Sequence, residues 1–386
     1  MTRLVTGLEK KILKIRVLMQ LFNIVLKKTR CPVKSFRLLK QIKVKYKSTL
    51  GQKLMTKVVN VDGRYFWRLS APGFPSDASA RLHENEIARF FPSDPKRGLH
   101  TIVFSVTKKC TLNCEHCFEW DDLAKYDTLK TSDLINIVRK FQTYGTTQFM
   151  FTGGEPVIRL DDICEILDNV EHNTDFWIFT SGIGLTFERA QKLKKAGLTG
   201  VLVSIDHYIE KEHNKFRGSD KIFQAAVSAV ENTNKAGLVS GLSLCAHKNI
   251  VTKEHIEAYM NFAQELGVSF VQILDPREAG RYKGKDVGLD PAQIEVLEDV
   301  YIKYNSLKEY RDYPIVNYLG YHQRRTGCFG GGDRFFYIDT DGDAHLCPYC
   351  REKIGSAIEL SAEELMAKMQ NSKCHAFENA AKVSKN

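Results

Sequence analysis

The sequence predicts an α/β protein built around a parallel sheet, with a basic helical segment before it and a small cysteine-rich module after it. Short apolar, β-rich runs alternate with helical patterns between about residues 98 and 285. The alternation fails beyond 285, and the excess positive charge is concentrated near the N-terminus. Strands separated by helices are typical of βα repeats, which assemble into parallel sheets.

The composition is that of a globular protein with one unusual segment. The chain has 386 residues, 43% hydrophobic and 26% charged, which excludes a disordered or fibrous protein. Residues 1–60 hold 16 Lys and Arg but a single acid, Glu9, so this segment has a charge of +15. The net charge of the whole chain is +10. The remaining 326 residues are mildly acidic at −5. The charge therefore belongs to an extension and says little about the reaction.

An amphipathic helix is predicted over residues 4–26, with lysines beside its apolar positions. Peripheral membrane contact through residues 1–50 is one interpretation, and a basic helix packed on the body or a solvated tail is the other. Nucleic acid is disfavoured, because few aromatic residues lie among the bases. No apolar run is long enough to span a membrane, and no signal peptide is recognisable. We expect a cytoplasmic protein, peripheral at the cytoplasmic membrane face if the helix binds lipid. The apolar positions are Leu4, Leu8, Ile12, Ile15, Leu18, Phe22 and Val25.

The body is predicted to contain six strands, five intervening helices and a lead-in segment at 61–97 with a hairpin near Asp62-Gly63. The helices are expected near 131–143, 160–171, 186–196, 221–236 and 253–266, the last three ending near Gly197, Gly237 and Gly267. The strands are Thr101–Val106, Thr147–Phe151, Phe176–Thr180, Gly200–Ile205, Gly241–Ala246 and Ser269–Leu274.

Beyond residue 285 the pattern predicts a helix near 291–306, a Gly-rich loop, a hairpin and a terminal helix near 361–370. The hairpin pairs Phe335–Ile338 with Ala344–Cys347 across a turn at Asp341-Gly342. The aspartates around this turn do not match a calcium loop, whose glycine and final glutamate stand elsewhere. The three glycines at 330–332 lack the Lys-Ser/Thr of a phosphate loop.

Three cysteines, Cys110, Cys114 and Cys117, follow the first strand with the spacing C-x3-C-x2-C. Without a secretory signal, metal binding is favoured over a disulfide framework. Three thiolates in one loop can bind three irons of an iron–sulfur cube and leave the fourth iron open, whereas structural zinc needs another ligand. His116 is poorly placed to be that ligand, because it lies between two of the cysteines in the sequence. The loop also leaves the carboxyl end of a parallel strand, where α/β proteins place their chemistry.

This arrangement resembles the radical S-adenosylmethionine (SAM) superfamily, and the resemblance extends over residues 98–285. Strand two ends in Gly153-Gly154-Glu155, similar to the motif that holds the SAM amino group in that family. Strand three ends in Thr180-Ser181-Gly182 and strand four in Ser204-Ile-Asp206, which match motifs near the SAM methionine and ribose. His213 and Arg217 match a stretch common in peptide-modifying members. Taken singly, each motif is also compatible with a turn, a surface acid or a helix cap.

The resemblance implies a partial (β/α)6 TIM-type barrel and a definite chemistry. A [4Fe-4S] cluster on Cys110, Cys114 and Cys117 would reduce SAM to a 5′-deoxyadenosyl radical, which abstracts hydrogen from a substrate. It implies catalytic roles for these cysteines and Glu155, and a one-electron donor such as flavodoxin or ferredoxin. The residues implied in cofactor binding are Gly153, Gly154, Glu155, Ser181, Ser204, Asp206 and Arg217.

Four further cysteines lie at 328, 347, 350 and 374. Cys328, Gly342 and Cys347 have the spacing that opens SPASM and twitch domains, the auxiliary-cluster modules of radical SAM enzymes. The full SPASM pattern is not completed, so the resemblance implies one auxiliary [4Fe-4S] cluster in a domain at 286–386. Whether all of Cys328, Cys347, Cys350 and Cys374 bind it is open, and a zinc site on the same residues is the alternative.

The leading functional hypothesis is oxidation, crosslinking or another modification of a peptide or small metabolite. No leader-binding domain is recognisable before the barrel, which weakens the peptide interpretation. A membrane-associated lipid substrate is a second hypothesis, and a non-catalytic iron–sulfur or zinc protein is a third, from another class. Asp275, Arg277 and Arg281 follow the sixth strand and either line the substrate entrance or form loop ion pairs.

Overall fold

The structure is a computed structural model that describes residues 3–50, 56–91, 98–328 and 330–372. The N-terminal segment contains two helices where the apolar pattern predicted one. The first, α1 (Gly7–Thr29), ends where Arg30 takes a left-handed φ of 51°. The second, α2 (Pro32–Leu50), begins two residues later. Of the helices described, none is long and apolar enough to cross a membrane.

A small antiparallel sheet follows and closes one end of the larger sheet. It has the order β1 (Arg3–Leu4), β2 (Val59–Val61), β3 (Arg64–Phe66), and the predicted hairpin at Asp62-Gly63 joins the last two strands. Arg64 donates to the Asp175 carboxylate over 2.5 and 2.7 Å, which fixes this hairpin to the large sheet. A helix not foreseen from the sequence, α3 (Asp77–Ala88), comes next.

In the described residues the large sheet has ten strands. The six strands predicted in the body form its centre, with bounds that differ by at most one residue, except that β8 begins two residues earlier. β10 and β11 extend this centre in parallel on opposite sides, β12 pairs antiparallel with β11, and β13 pairs antiparallel with β12. The strands are β4 (Thr101–Ser105), β5 (Gln148–Thr152), β6 (Asp175–Thr180), β7 (Gly200–Ser204), β8 (Val239–Cys245), β9 (Phe270–Leu274), β10 (Ile315–Tyr318), β11 (Phe335–Ile338), β12 (Asp343–His345) and β13 (Gly355–Ser356).

The order of this sheet is β10-β9-β8-β7-β6-β5-β4-β11-β12-β13. Because β10 and β11 are not neighbours, the parallel part is a partial barrel, as the resemblance implied. The predicted hairpin at Asp341-Gly342 is present, with Gly342 at φ +80°. Its first strand pairs with β4, so the sheet continues across the proposed boundary at 285/286. The boundaries at 60/61, 97/98 and 285/286 stay predictions.

Helices cover the outer face of the sheet and bury one large apolar core. The predicted helix ends near Gly197, Gly237 and Gly267 are confirmed, and each glycine has positive φ. The helices are α4 (Thr131–Tyr144), α5 (Leu160–Asp168), α6 (Phe187–Ala196), α7 (Glu210–Arg217), α8 (Ile222–Lys235), α9 (Lys253–Glu265), α10 (Pro291–Ser306), α11 (Leu319–Thr326) and α12 (Ala362–Asn371).

A second apolar cluster fills the barrel at the amino ends of its strands. Val59, Phe66 and Leu69 from the lead-in segment pack there with Trp177 and Phe270. The Phe66 and Trp177 rings meet edge to face at 6.5 Å. Because this end of the barrel is filled by apolar side chains, only the carboxyl ends of the strands remain for a site.

Candidate active site

The residues predicted for the first cluster and for SAM binding lie at the carboxyl ends of β4, β5, β6 and β7, in the loops that follow or, for Arg217, at the end of α7. These strands are parallel and adjacent in the sheet, so their carboxyl ends share one edge. The loop after β4, residues 106–130, carries the first three cysteines and has no regular secondary structure. We refer to residues 106–130 as the cysteine loop.

Cys110, Cys114 and Cys117 lie together in a small apolar cluster with Leu112 and Ile222. Burial raises the pKa of Cys110 to about 11 and that of Cys117 to about 12, and nearby cysteines add to both shifts. Thiols in this environment stay protonated in the free protein. They lose their protons when a metal binds them.

Two neighbouring segments hold the cysteine loop in place. The end of α7 accepts two of its amide hydrogens, from Asn113 to Arg217 O at 3.2 Å and from Glu115 to Phe216 O at 3.0 Å. On the other side, Arg281 donates from its side chain to Asn113 O at 2.7 Å and from its amide to Cys117 O at 3.0 Å. Arg281 therefore supports the cysteine loop, a role outside the two interpretations kept for it, the substrate entrance and a loop ion pair.

The Gly153-Gly154-Glu155 turn packs directly against the cysteine loop. Gly154 donates its amide hydrogen to Thr107 O, and Glu155 donates to Lys109 O, both over 2.7 Å. A methyl group built on Gly154 would lie 2.2 Å from Lys109 O and 3.0 Å from Cys110 Cβ. The two glycines are thus required by the close approach of one loop to the other.

Glu155 is buried and accepts hydrogen bonds at both carboxylate oxygens. Thr180 Oγ1 donates to Oε1 over 2.6 Å, and the Ser181 amide and hydroxyl donate to Oε2 over 2.8 and 2.5 Å. The Val157 amide also donates to Oε1, over 3.0 Å. Burial raises the pKa of Glu155, while these hydrogen bonds oppose the shift. Glu155 and Ser181, each predicted as a cofactor-binding residue, are therefore in direct contact.

Asp206 and Arg217 form a buried ion pair beside the first cysteine group. Arg217 Nε donates to Asp206 Oδ2 over 2.6 Å, and its Nη1 lies 3.7 Å from Cys114 Sγ. The other oxygen of Asp206 accepts from the Cys245 amide over 2.8 Å. Burial works against the ionised form of Asp206, but the Arg217 guanidinium outweighs it, and the pKa of Asp206 is about 2.

The remaining residues of this region have separate environments. Ser204 is half-buried at the end of β7, in register with Ser243 of β8. His213 accepts the Asp206 amide hydrogen at Nδ1 over 3.1 Å, which orients the turn after β7. The His116 ring stacks on Phe216 with centroids 4.8 Å apart, and burial lowers the pKa of His116 to about 4.

The second cysteine group is partly assembled in the described residues. Cys347 and Cys350 form an isolated antiparallel bridge, and Cys350 donates its amide hydrogen to Cys347 O over 3.1 Å. A hydrogen bond from Cys350 lowers the pKa of Cys347 to about 7. A methyl group on Gly330 would lie 3.2 Å from Cys328 Sγ and 3.2 Å from Leu346 O. Cys328 therefore lies close to Leu346, the residue that precedes Cys347. Cys374 lies outside the described residues.

The two cysteine groups are joined by contacts that the sequence did not predict. Phe118, next to Cys117, meets the Tyr349 ring at 6.2 Å, and Tyr349 stands between Cys347 and Cys350. Lys108 is buried and donates to the Asp341 carboxylate over 2.6 Å, which ties the cysteine loop to the hairpin turn. No local motif marks Lys108 or Phe118, because their partners are more than 200 residues away.

Glu119 is a further buried acid of this region that the sequence did not single out. Ser105 donates to Glu119 Oε1 over 2.9 Å and is also within 2.7 Å of the Tyr337 hydroxyl. Burial raises the pKa of Glu119 to about 7, against the opposing effect of Arg351. Its position two residues after Cys117 was the only available signal.

The residues after the sixth body strand form ion pairs. Asp275 accepts from the Tyr318 hydroxyl and from Arg324 Nη1, both over 2.9 Å. Arg277 lies 3.8 Å from the same carboxylate. Asp275 and Arg277 were expected either to line the substrate entrance or to form loop ion pairs. The geometry favours the ion pairs.

The donor set of the cysteine loop suits a cluster of irons better than a single metal ion. Within residues 3–50, 56–91, 98–328 and 330–372, no three His, Cys, Asp or Glu side chains are close enough to share a single metal ion. Three thiolates that each bind a different iron of a cube need not meet at one point. A loop of three neighbouring thiols, with Arg217 against one of them, fits an anionic iron–sulfur cluster better than a structural zinc ion.

Residues 104–263 match the model of the Radical SAM superfamily. Among known proteins, the chain is 27% identical over 229 residues to the probable GTP 3′,8-cyclase of Methanocaldococcus jannaschii. This match covers 57% of the chain and 74% of the cyclase. The match to the superfamily confirms the resemblance inferred from the cysteine spacing and the strand-end motifs.

Two solved structures have a similar fold at low identity. Streptococcus suis SuiB bound to precursor peptide SuiA superposes with a TM-score of 0.56 at 16% identity, covering 75% of this chain and 69% of SuiB. Native anSMEcpe with bound AdoMet (SAM) and Cp18Cys peptide gives a TM-score of 0.56 at 19% identity, covering 74% of this chain and 86% of that one. These likenesses establish the fold of the partial barrel.

Proposed function

We propose that this chain, whose residues 104–263 match the Radical SAM superfamily, is an enzyme that modifies a peptide or a small metabolite by hydrogen abstraction. The observation that carries the proposal is the contact between the cysteine loop and the Gly153-Gly154-Glu155 turn. Two backbone hydrogen bonds of 2.7 Å join them at the carboxyl edge of β4 and β5. A three-thiol donor set and a buried carboxylate are thereby held in one place.

The cofactors of this superfamily are a [4Fe-4S] cluster and SAM, and the residues present suit both. Cys110, Cys114 and Cys117 would hold three irons of the cluster. When bound, the cluster and SAM supply a 5′-deoxyadenosyl radical after one-electron reduction. The reduction calls for a donor of the flavodoxin or ferredoxin class. The chain's own contribution is to position these groups and to limit the access of water around them.

We assign Gly153, Gly154, Glu155, Ser181, Ser204, Asp206 and Arg217 to the SAM side of the site. Glu155 has its two oxygens oriented by Thr180 and Ser181, so the carboxylate is fixed before any ligand arrives. Arg217 is oriented by Asp206 and faces Cys114, which supports a role in compensating the negative charge of the cluster. Fixed polar groups of this kind need little rearrangement on binding.

We also propose one auxiliary [4Fe-4S] cluster on Cys328, Cys347, Cys350 and Cys374. The adjacent positions of Cys347 and Cys350, and the approach of Cys328 to Leu346, support the first three ligands. The contact between Phe118 and Tyr349 supports a location near the cysteine loop. A second cluster suits a net oxidation, because it can accept the electron that remains on the substrate after hydrogen abstraction.

A peptide is the substrate class we favour. SuiB and anSMEcpe, which have a similar fold, each bind a peptide in the structures compared above. A membrane-associated lipid substrate is the second candidate, which places the enzyme at a membrane face, and the exposed apolar and basic side chains of α1 and α2 favour it. The match to an enzyme superfamily argues against a non-catalytic iron–sulfur or zinc protein.

The test is anaerobic reconstitution with iron and sulfide, followed by reduction in the presence of SAM. We expect 5′-deoxyadenosine to form in the wild-type chain and to fall at least tenfold in Glu155→Ala. Glu188→Ala is the matched control, because Glu188 is a glutamate on the surface helix α6, and it should leave the rate unchanged. Absence of 5′-deoxyadenosine in a fully reconstituted wild-type sample would refute the proposed function.

A further inference from the structure

The first two helices expose apolar side chains that a solvated helix pair would normally bury. Sixteen large apolar side chains are exposed in the described residues, and eight of them lie between positions 8 and 44. On α1 they are between 48 and 72% exposed, and on α2 between 61 and 70%. Such a concentration on one segment marks an interaction surface rather than scattered exposure. The eight are Leu8, Ile12, Ile15, Leu18, Met19, Val33, Phe36 and Val44.

The exposed apolar residues of α1 form a stripe opposite its buried face. Leu8, Ile12, Ile15 and Met19 follow steps of four, three and four residues, which places them on one side of a helix. The buried positions Leu13, Val17 and Ile24 lie on the other side and pack on the lead-in segment and α3. α1 is therefore apolar on two faces, and the described part of the chain covers only one of them.

The exposed side of α2 is strongly basic. Its outward positions combine apolar and basic side chains: Val33, Phe36 and Val44 with Arg37, Lys40 and Lys43. On the opposite side of α2, Ile42 packs with α1 and α3. The sequence of α2 contains no acid, and the one acid of α1, Glu9, is already paired with Arg3 over 2.6 and 2.7 Å. The positive charge of this surface is therefore not neutralised from within the segment.

From this combination we propose that α1 and α2 form a docking surface for an anionic lipid bilayer. Aliphatic side chains beside lysines are the composition of helices that lie in the membrane interface, with the apolar side chains among the acyl chains and the bases at the headgroups. A second copy of the chain is a poorer partner, because two surfaces with the same net positive charge repel each other. RNA is a poorer partner as well, since stacking on bases needs aromatic rings and only Phe36 is aromatic among the eight.

The test uses sedimentation of the full-length protein with phosphatidylcholine vesicles, with and without phosphatidylglycerol. We expect binding to the phosphatidylglycerol vesicles and little to the neutral ones. Combining Leu8→Ser, Ile12→Ser and Ile15→Ser should weaken this binding at least tenfold. The matched control combines Ile158→Ser, Ile302→Ser and Ile358→Ser, which are similarly exposed elsewhere, and should bind like the wild type.

A second variant tests the charge component. Lys40→Gln with Lys43→Gln should lower binding roughly fivefold per base removed, and high salt should reproduce the loss. Equal sedimentation of the wild type and the triple-serine variant would overturn the proposal. So would equal binding to neutral vesicles, a stable dimer that ignores vesicles, or tighter binding to single-stranded RNA. Vesicle binding and 5′-deoxyadenosine formation are measured separately. Failure of the docking proposal can therefore be distinguished from failure of the proposed SAM chemistry.

Discussion

Arg217 Nη1 lies 3.7 Å from Cys114 Sγ, and Arg217 Nε donates to Asp206 Oδ2 over 2.6 Å. One guanidinium thus connects the acid at the end of the fourth body strand with a cysteine of the loop after the first. The backbone oxygen of the same arginine accepts from Asn113 over 3.2 Å. Arg217 therefore organises the cysteine loop through both its side chain and its main chain.

Removing the arginine should destabilise the fold. In Arg217→Gln the Asp206 carboxylate stays buried without its partner, so we expect a loss of about 3–5 kcal/mol in the free energy of unfolding. The double variant with Asp206→Asn should lose less than the sum of the two single variants, because neither then leaves a buried charge. Urea unfolding measures all three. A free energy for Arg217→Gln within about 0.5 kcal/mol of the wild type would contradict the ion pair.

The same pair predicts a loss of stability in acid. The pKa of Asp206 is held at about 2, below its ordinary value of 3.8. A carboxyl with a lowered pKa stabilises the folded state at pH values above 3.8, and this contribution of about 2 kcal/mol is lost as the pH falls towards 2. Unfolding of the iron-free full-length chain between pH 5 and 2.5 measures the slope. Asp206→Asn should show a smaller slope, and equal slopes would assign the effect to other groups.

The contact between the two loops predicts a strong effect at Gly154. A methyl group there would lie 2.2 Å from Lys109 O, so Gly154→Ala must displace the cysteine loop. We expect a loss of about 1–3 kcal/mol in stability and a reduced iron content after reconstitution. Gly288→Ala is the matched control, because a methyl group at Gly288 meets no atom within 4 Å. Normal iron loading in Gly154→Ala would show that the contact is not needed for the site.

The auxiliary cluster predicts a separable loss of iron. Cys347→Ala with Cys350→Ala should lower the iron content from about eight to about four per chain while some SAM cleavage persists, because the first cysteine group is untouched. Cys31→Ala is the control for thiol removal, since Cys31 lies in the turn between α1 and α2, where its carbonyl oxygen accepts from Thr29 and Ser35. An unchanged iron content in the double variant would remove the auxiliary site from the account.

The sequence predicted the parallel sheet because its strands are marked locally. Each of the six central strands is a short β-rich run followed by a helix, and Gly197 and Gly267 mark where two of those helices end. The extension of the sheet beyond these six strands was not predicted, for a physical reason. Ile315–Tyr318 is only four residues long, and Phe335–Ile338 was assigned to a local hairpin, although it also pairs in parallel with Thr101–Phe104. Pairing over more than 200 residues leaves no local pattern.

The sequence predicted which residues belong to the site, but it did not predict most of the contacts between them. The spacing of the cysteines identified the loop, and the glycine–glycine–glutamate turn identified its neighbour. The pairing of Arg217 with Asp206, and the anchoring of Lys108 by Asp341, depend on how separate loops fold over one another. The second N-terminal helix was missed because α2 carries six bases in 19 residues, which obscured its apolar side.

The central claim is that Cys110, Cys114 and Cys117 hold a cluster with one iron left open for SAM. Electron paramagnetic resonance of the reconstituted, reduced full-length chain tests this directly, with and without SAM. We predict that SAM changes the spectrum of the reduced cluster in the wild type, because SAM binds the open iron. The change should be absent in Cys110→Ala with Cys114→Ala and Cys117→Ala. A wild-type spectrum that SAM leaves unchanged would contradict the account.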